Sequence, residues 1–265
     1  MAIAELRAQA RELLICPDPA AKAAGTRCLS ATGPILADAV YPDVPGIPGR
    51  PERPALVGFN ALKRRSAATV PGRAALLHAL AHIEFNAINL ALDIVWRFPG
   101  LPEAFYRQWI GVACEEALHF ELLRGHLQTL GHDYGDFPAH DGLWEMAHKT
   151  RNDALARLAL VPRTLEARGL DAAPPMRDKL LSAGDTAAAA ILDIILRDEI
   201  GHVAVGNHWY RQLCQARGLD PISCYAELAR RHGAPRLRGP FNLPARRAAG
   251  FDEAELAWLQ AESPA

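Results

Sequence analysis

Apolar residues recur every three or four positions over four long stretches of the chain, which is the spacing of one face of an α-helix. The pattern predicts helix A over about 73–96, helix B over about 102–130, helix C over about 142–168 and helix D over about 176–217. No stretch of the sequence alternates convincingly as a half-buried strand does. We therefore expect an all-α protein built around a four-helix bundle.

Proline and glycine predict where these helices stop, because proline removes a backbone donor and glycine favours helix ends. Pro162 lies inside helix C and predicts a kink or a restart there, and Gly184 is a candidate break in helix D. The predicted helix ends are marked, in chain order, by Pro99, Gly131, Gly169 and Gly218.

The chain before the bundle is predicted to be partly helical. One amphipathic helix is expected over 3–15 and a shorter one over 20–31. The proline-rich stretch 41–54 can form neither a helix nor a central strand, because proline removes backbone donors. We expect an extended arm here, suited to covering the mouth of a site.

The chain after the bundle is predicted to hold a helix over 223–232, irregular chain over 233–244 and a last helix over 252–260. Arm, bundle and tail are expected to pack into one globular unit. The three predicted segments are the N-terminal helices with the arm, 1–71, the bundle, 72–218, and the C-terminal extension, 219–265.

Each predicted bundle helix carries a glutamate on its apolar stripe, where leucine or isoleucine would be expected. An isolated ionised carboxylate in an apolar core is costly, and several together repel one another. Two divalent cations would balance four such carboxylates, with neutral imidazoles as further ligands. The glutamates are Glu84, Glu116, Glu166 and Glu199.

The motif Glu-x-x-His occurs twice on these stripes, beginning at Glu116 and at Glu199. Side chains three residues apart project from the same face of a helix, so both can reach one metal. A stripe glutamate precedes the first motif by 32 residues and the second by 33. This is the ligand pattern of carboxylate-bridged di-metal bundles. The predicted ligands are Glu84, Glu116, His119, Glu166, Glu199 and His202.

Glu166 has the strongest competing interpretation. It lies near the predicted end of its helix, and Arg163, three residues earlier, is an alternative partner for its carboxylate. Glu145 is the substitute ligand from the same helix. For the whole set, the alternative is a network of solvated salt-bridge partners, which the apolar neighbours at three and four residues disfavour.

His78 and His82 form a further pair with metal-binding potential. They lie four residues apart and share a helix face. That face points away from the direction of Glu84, which favours a surface or interhelix role over a second metal site.

Composition narrows the class of protein. The chain has 265 residues, half of them hydrophobic, and a formal net charge of −1, which argues against sequence-independent binding to nucleic acid or anionic membranes. Its five scattered cysteines lack a C-x-x-C pair and fit a reducing cytoplasm better than a disulfide framework. Neither a signal peptide nor a membrane span is expected.

Four stretches resemble ferritin-like di-iron carboxylate proteins, and most of all the family called domain of unknown function 455. They are HALAHIEFNAINLALDI around Glu84, CEEALHFELL around Glu116, LALVPRTLEARGLD around Glu166 and RDEIGHVAVGNHW around Glu199. The likeness spans roughly 56–251 and extends more distantly to the di-iron tRNA hydroxylase of the same superfamily. It implies a ferritin-like fold and two bound metal ions, with iron expected and Mn₂ or mixed Mn/Fe as alternatives.

The resemblance implies an O₂-dependent oxidase or hydroxylase of a small organic substrate, whose identity it does not give. Glu116 and Glu199 are then the bridging, catalytic carboxylates, and an external reductase supplies electrons. A monomer or a dimer is expected.

Three other functions stay open at the level of the sequence. One is iron oxidation and storage in a cage, and another is a non-catalytic protein with a structural metal. The third is action on tRNA. The near-neutral net charge of the chain disfavours it, but basic residues in the arm and the tail favour it. These are Lys63, Arg64, Arg65, Arg230, Arg231, Arg236, Arg238, Arg246 and Arg247.

Overall fold

The computed structural model describes residues 5–62 and 65–262. These residues form helices and loops, with one isolated parallel β-bridge between Leu56 and Ala139, so the prediction of an all-α protein is confirmed. A 3₁₀ turn covers Phe59–Ala61 and a π-helical segment covers Val161–Glu166. The α-helices are α1 (Leu6–Ile15), α2 (Pro19–Arg27), α3 (Val70–Arg97), α4 (Glu103–Thr129), α5 (Gly142–Lys149), α6 (Ala154–Leu160), α7 (Ala167–Ser182), α8 (Thr186–Ala216), α9 (Pro221–His232), α10 (Leu243–Ala248) and α11 (Glu253–Ala261).

The chain folds as two compact units. The first unit comprises Met1–Trp144 and Lys179–Ile191, and the second comprises Glu145–Asp178 and Leu192–Ala265. Helices α1 to α4 belong to the first unit, and α6 and α9 to α11 belong to the second. The predicted division into arm, bundle and extension stays a prediction.

The long helices α3 and α4 pack against each other and form the centre of the first unit. The hydroxyl of Thr69 caps α3 by accepting a hydrogen bond from the N–H of Gly72 at 3.2 Å. Pro102 directly precedes α4, where its missing N–H removes no helical hydrogen bond. These end signals explain why the predicted bounds of helices A and B lie within three residues of α3 and α4.

A buried arginine ties α1 to the C-terminal end of α3. Arg7 donates to the carbonyls of Val95 at 3.1 Å and Trp96 at 2.8 Å. The last carbonyls of a helix lack intrahelical donors, so Arg7 satisfies groups that the helix cannot satisfy itself. It also donates, at 2.8 Å each, to the carbonyls of Leu36, Ala37 and Ala39.

The core of the second unit is shared by α7, α8, α10 and α11. Leu170 of α7 and Val203 of α8 are fully buried in it. Phe251 and Leu256, at the turn into α11 and within that helix, pack into the same cluster. The C-terminal extension therefore contributes to the hydrophobic core of this unit.

The structure corrects predicted helices C and D. Helix C is interrupted between Lys149 and Ala154, and Gly169 lies inside α7 instead of ending a helix. A single glycine costs only about 1 kcal/mol relative to alanine in a helix, which packing outweighs. The start predicted for helix D at Met176 is also wrong, because α7 continues to Ser182.

The predicted helix break at Gly184 and the predicted kink or restart at Pro162 are confirmed. Gly184 adopts φ +80° between α7 and α8, and the two helices separate there. Pro162 lies in the π-helical segment, which is the form that the predicted kink takes.

The arm and the tail largely follow the prediction. Residues 41–54 contain neither helix nor strand, and α9 matches the predicted helix over 223–232. The last predicted helix corresponds to α11. The short helix α10, which begins at Leu243, was not predicted.

Helix α3 is the one helix in the described part of the chain that is long and apolar enough to cross a membrane. In its most apolar window, 78% is buried inside the protein. This agrees with the core helix of a soluble protein.

Candidate metal centre

Three of the predicted ligands meet where α3 and α4 pack in the first unit. Glu84 comes from the middle of α3, and Glu116 and His119 come from one face of α4. The Nδ1 atom of His119 lies 3.3 Å from Oε2 of Glu84 and 3.5 Å from Oε2 of Glu116. One ligand atom from each residue lies within 4.8 Å of the others, and all three side chains are buried. This group can hold a metal ion.

The two carboxylates control the protonation of His119. Burial by itself lowers the pKa of His119, but its hydrogen bonds to Glu116 and Glu84 and their negative charges outweigh burial and raise the pKa to about 11. Without a metal, an imidazolium therefore stabilises the two carboxylates. A metal ion would displace this proton, because imidazole ligates in its neutral form.

The second Glu-x-x-His motif lies on α8 in the second unit. The Nδ1 atom of His202 is 3.9 Å from Oε1 of Glu199. Glu199 is 8% exposed and His202 is 1% exposed. The second motif thus also places a carboxylate and an imidazole side by side on a buried helix face.

Glu166 is the last residue of the π-helical segment and is partly buried. Arg163, its alternative partner, donates instead to Glu255 at 2.6 Å and to Asn207 at 2.9 Å. Glu145 is exposed on α5 and therefore offers no buried substitute. Glu166 stays the predicted ligand from this part of the chain.

The donor chemistry of the first-unit group fits a divalent transition metal. Carboxylate oxygens and imidazole nitrogens suit iron, manganese and zinc, whereas thiolates and thioethers select softer ions. Two carboxylates beside one imidazole also supply the negative charge that a divalent cation needs in a buried position. The residues therefore fit iron, and they fit manganese equally well.

A model of the family described as "Protein of unknown function (DUF455)" matches residues 15–257. The chain belongs to this family. It is also similar to a protein named "Uncharacterized protein" from Haemophilus influenzae (strain ATCC 51907 / DSM 11121 / KW20 / Rd), with 53% identity over 214 residues, 78% of this chain and 74% of the relative. No solved structure matches.

In this DUF455 protein, His78 and His82 pack against the loop that follows α4. The two ring nitrogens of His82 lie 2.8 Å from the hydroxyl of Tyr134 and 3.1 Å from the carbonyl of His140. The N–H of Gly135 donates to Nε2 of His78 at 2.9 Å. Burial lowers the pKa of both histidines to about 4, so they act as neutral hydrogen-bonding groups. Both histidines are buried, so a surface role is wrong, and these contacts tie α3 to a loop instead of to another helix.

The arm of the DUF455 protein lies against α3 within the first unit. Pro51 lines a small pocket together with Phe85 and Tyr134. Arg50 at the same pocket donates to Asp141 at 2.6 Å. Periodicity does not single out Arg50 or Tyr134, because loop residues carry no periodic signal.

Some basic residues of the tail pair with acidic residues of the same chain. Arg246 is fully buried and donates to Asp171 at 2.6 Å. Arg230 and Arg231 both pair with Glu227. The tRNA alternative stays a prediction. Lys63 and Arg64 of the arm lie outside the described residues.

Proposed function

We propose that this DUF455 protein is a di-iron carboxylate enzyme that oxidises or hydroxylates a small organic substrate with O₂. The observation that carries the proposal is the buried group formed by Glu84, Glu116 and His119. Burying two carboxylates and an imidazole is unfavourable unless they bind a cation or a proton. A protein that needed only stability would gain more from apolar residues at these positions.

We propose two ions because the ligand pattern occurs twice in the sequence. Each half supplies one glutamate followed by Glu-x-x-His, which gives four carboxylates and two imidazoles for two divalent ions. The proposed ligands are Glu84, Glu116, His119, Glu166, Glu199 and His202.

The proposed roles of the residues follow from their chemistry. Glu84, Glu116, Glu166 and Glu199 would hold the ions through their carboxylate oxygens, with Glu116 and Glu199 as the catalytic carboxylates. His119 would give up the proton that it holds between Glu84 and Glu116 when the metal binds. Bound iron would supply the activation of O₂ and the electron transfer that protein side chains lack.

The proposal includes a small-molecule substrate, O₂ and an electron-donating reductase as partners. We also propose a location in the reducing cytoplasm, which five free cysteines favour. We expect a monomer or a dimer. Elution from gel filtration as a large cage would favour iron storage instead.

The test is O₂ consumption by protein loaded anaerobically with Fe(II). The wild type should consume O₂ in proportion to its bound iron, and Glu116→Ala should lose the protein-dependent part. Glu115→Ala is the matched control, because Glu115 is the exposed neighbour on the same helix. Equal O₂ consumption by all three proteins and by free Fe(II) would contradict an enzymatic role.

A further inference from the structure

The π-helical segment of the second unit determines which way Glu166 points. The N–H of Ala167 bonds back five residues to the carbonyl of Pro162, as in a π-helix. The hydroxyl of Thr164 donates to the carbonyl of Ala159 at 2.7 Å, also five residues back. A π turn holds about one residue more than an α turn, so it rotates the residues that follow by about 100° relative to an uninterrupted α-helix.

The segment touches α8 at a glycine with no room for a side chain. A Cβ atom on Gly206 would lie 2.6 Å from Cβ and 2.8 Å from Cγ of Pro162. Gly206 is buried and follows His202 by four residues, so both lie on the same face of α8. The proline ring therefore rests directly on the backbone of the helix that carries Glu199 and His202.

A buried hydrogen bond joins the residue after Pro162 to the residue after Gly206. Arg163 follows Pro162 and donates at 2.9 Å to Asn207, which follows Gly206. Asn207 in turn donates to the carbonyl of Ala249 at 2.8 Å. Arg163 also lies over the ring of Phe251 at 4.7 Å. Two adjacent residues of the π segment are thus fixed against two adjacent residues of α8.

We infer that Pro162 and Gly206 are positioning residues that set the π segment against α8 so that Glu166 serves the same metal as Glu199 and His202. This inference rests on the proposed function. The close approach requires glycine at 206, and the π turn gives Glu166 its orientation. Neither residue would touch the metal; both act through Glu166.

The test compares bound metal in the wild type with that in Gly206→Ala. The added methyl group would push the π segment away from α8, so we expect bound iron to fall from about two equivalents to about one. Gly201→Ala is the matched control, because a Cβ at Gly201 on the same helix meets nothing within 4 Å. Circular dichroism should show the same helix content in all three proteins.

A double variant that exchanges the sizes of the two residues distinguishes a positioning role from nonspecific destabilisation of the protein. Pro162→Gly combined with Gly206→Ala removes the ring that the new methyl group would strike, and it should restore the second equivalent. Two equivalents in Gly206→Ala, or no recovery in the double variant, would overturn the inference while leaving the di-metal proposal standing. A wild type that binds no metal would overturn both.

Discussion

A charged side chain in a protein core needs a partner that keeps it charged or a pKa that discharges it. His119 has partners that keep it charged, because the carboxylates of Glu84 and Glu116 stabilise its protonated form. Lys22 has a pKa that discharges it, because burial lowers this pKa to about 7. Its amine contacts Asn89 and the carbonyls of Leu14 and Gly49. Such a lysine should make stability depend on pH.

The prediction for Lys22 concerns alkaline pH. The folded lysine has a pKa of about 7, below its usual 10.5, so the unfolded chain binds more protons between these values. The free energy of unfolding should therefore rise with pH across this window, on the order of 2 kcal/mol between about pH 7.5 and 9.5. Urea unfolding of Lys22→Met should lack this part of the slope.

The matched control for Lys22 is the exposed Lys149, changed to methionine. Lys149→Met should keep the wild-type slope, since an exposed lysine meets little desolvation. Identical slopes in the wild type and Lys22→Met would show that Lys22 keeps its proton when buried.

At the scale of single elements, the sequence predicts a helix well when its end signals and its packing agree. Thr69 and Pro102 mark the starts of α3 and α4, and both helices were predicted closely. Gly169 predicted a helix end, yet it lies inside α7, as does the pair Pro174–Pro175. Propensity is a weak guide that tertiary packing overrides. At Pro162 the sequence predicted a kink or a restart but not its π-helical form, because helical spacing does not reveal the close contact with Gly206.

Two glycines should respond to alanine in opposite directions. Gly184 has φ +80°, so Gly184→Ala should destabilise the protein by about 1 kcal/mol. Gly169 lies inside α7, and a Cβ there meets nothing within 4 Å, so Gly169→Ala should stabilise by about 0.5–1 kcal/mol. Chemical denaturation measures both, and a change of the same sign in both variants would contradict these conformations.

The attachment of α1 to α3 depends on the geometry of one guanidinium group. A lysine at position 7 cannot replace the five hydrogen bonds to backbone carbonyls, which would remain buried. Arg7→Lys should lower the free energy of unfolding by about 3 kcal/mol. Arg11→Lys, one turn later on α1 and partly exposed, should change it by less than about 1 kcal/mol. Equal effects in a denaturation experiment would contradict the role given to Arg7.

At the scale of the whole molecule, the candidate ligands can be found in the sequence because charged residues occupy positions that the helical period assigns to the apolar core. A glutamate on an apolar stripe is anomalous by itself, and the repeated spacing relates the two halves. The contacts of Glu84, Glu116 and His119 were predictable for that reason. The positions of Arg163 and Arg246 were not, because their partners Glu255 and Asp171 are 92 and 75 residues away in the chain.

Metal binding should also stabilise the folded protein, since ligands that bind only the native state raise its stability by mass action. Removal of metal by a chelator should lower the melting temperature of the wild type and leave that of Glu116→Ala nearly unchanged. Scanning calorimetry of both proteins with and without chelator measures this. An equal shift in both proteins would mean that the stabilising metal binds elsewhere.

The most direct test of the di-metal centre is metal content by inductively coupled plasma mass spectrometry. The wild type, Glu116→Ala and Glu115→Ala should be purified from cells supplied with iron and manganese, and reconstituted anaerobically where metal is low. We predict about two equivalents of iron or manganese in the wild type and in Glu115→Ala, and a clear loss in Glu116→Ala. Metal below one equivalent after reconstitution, or metal content indifferent to Glu116, would contradict the di-metal centre and leave the buried carboxylates as a structural polar network.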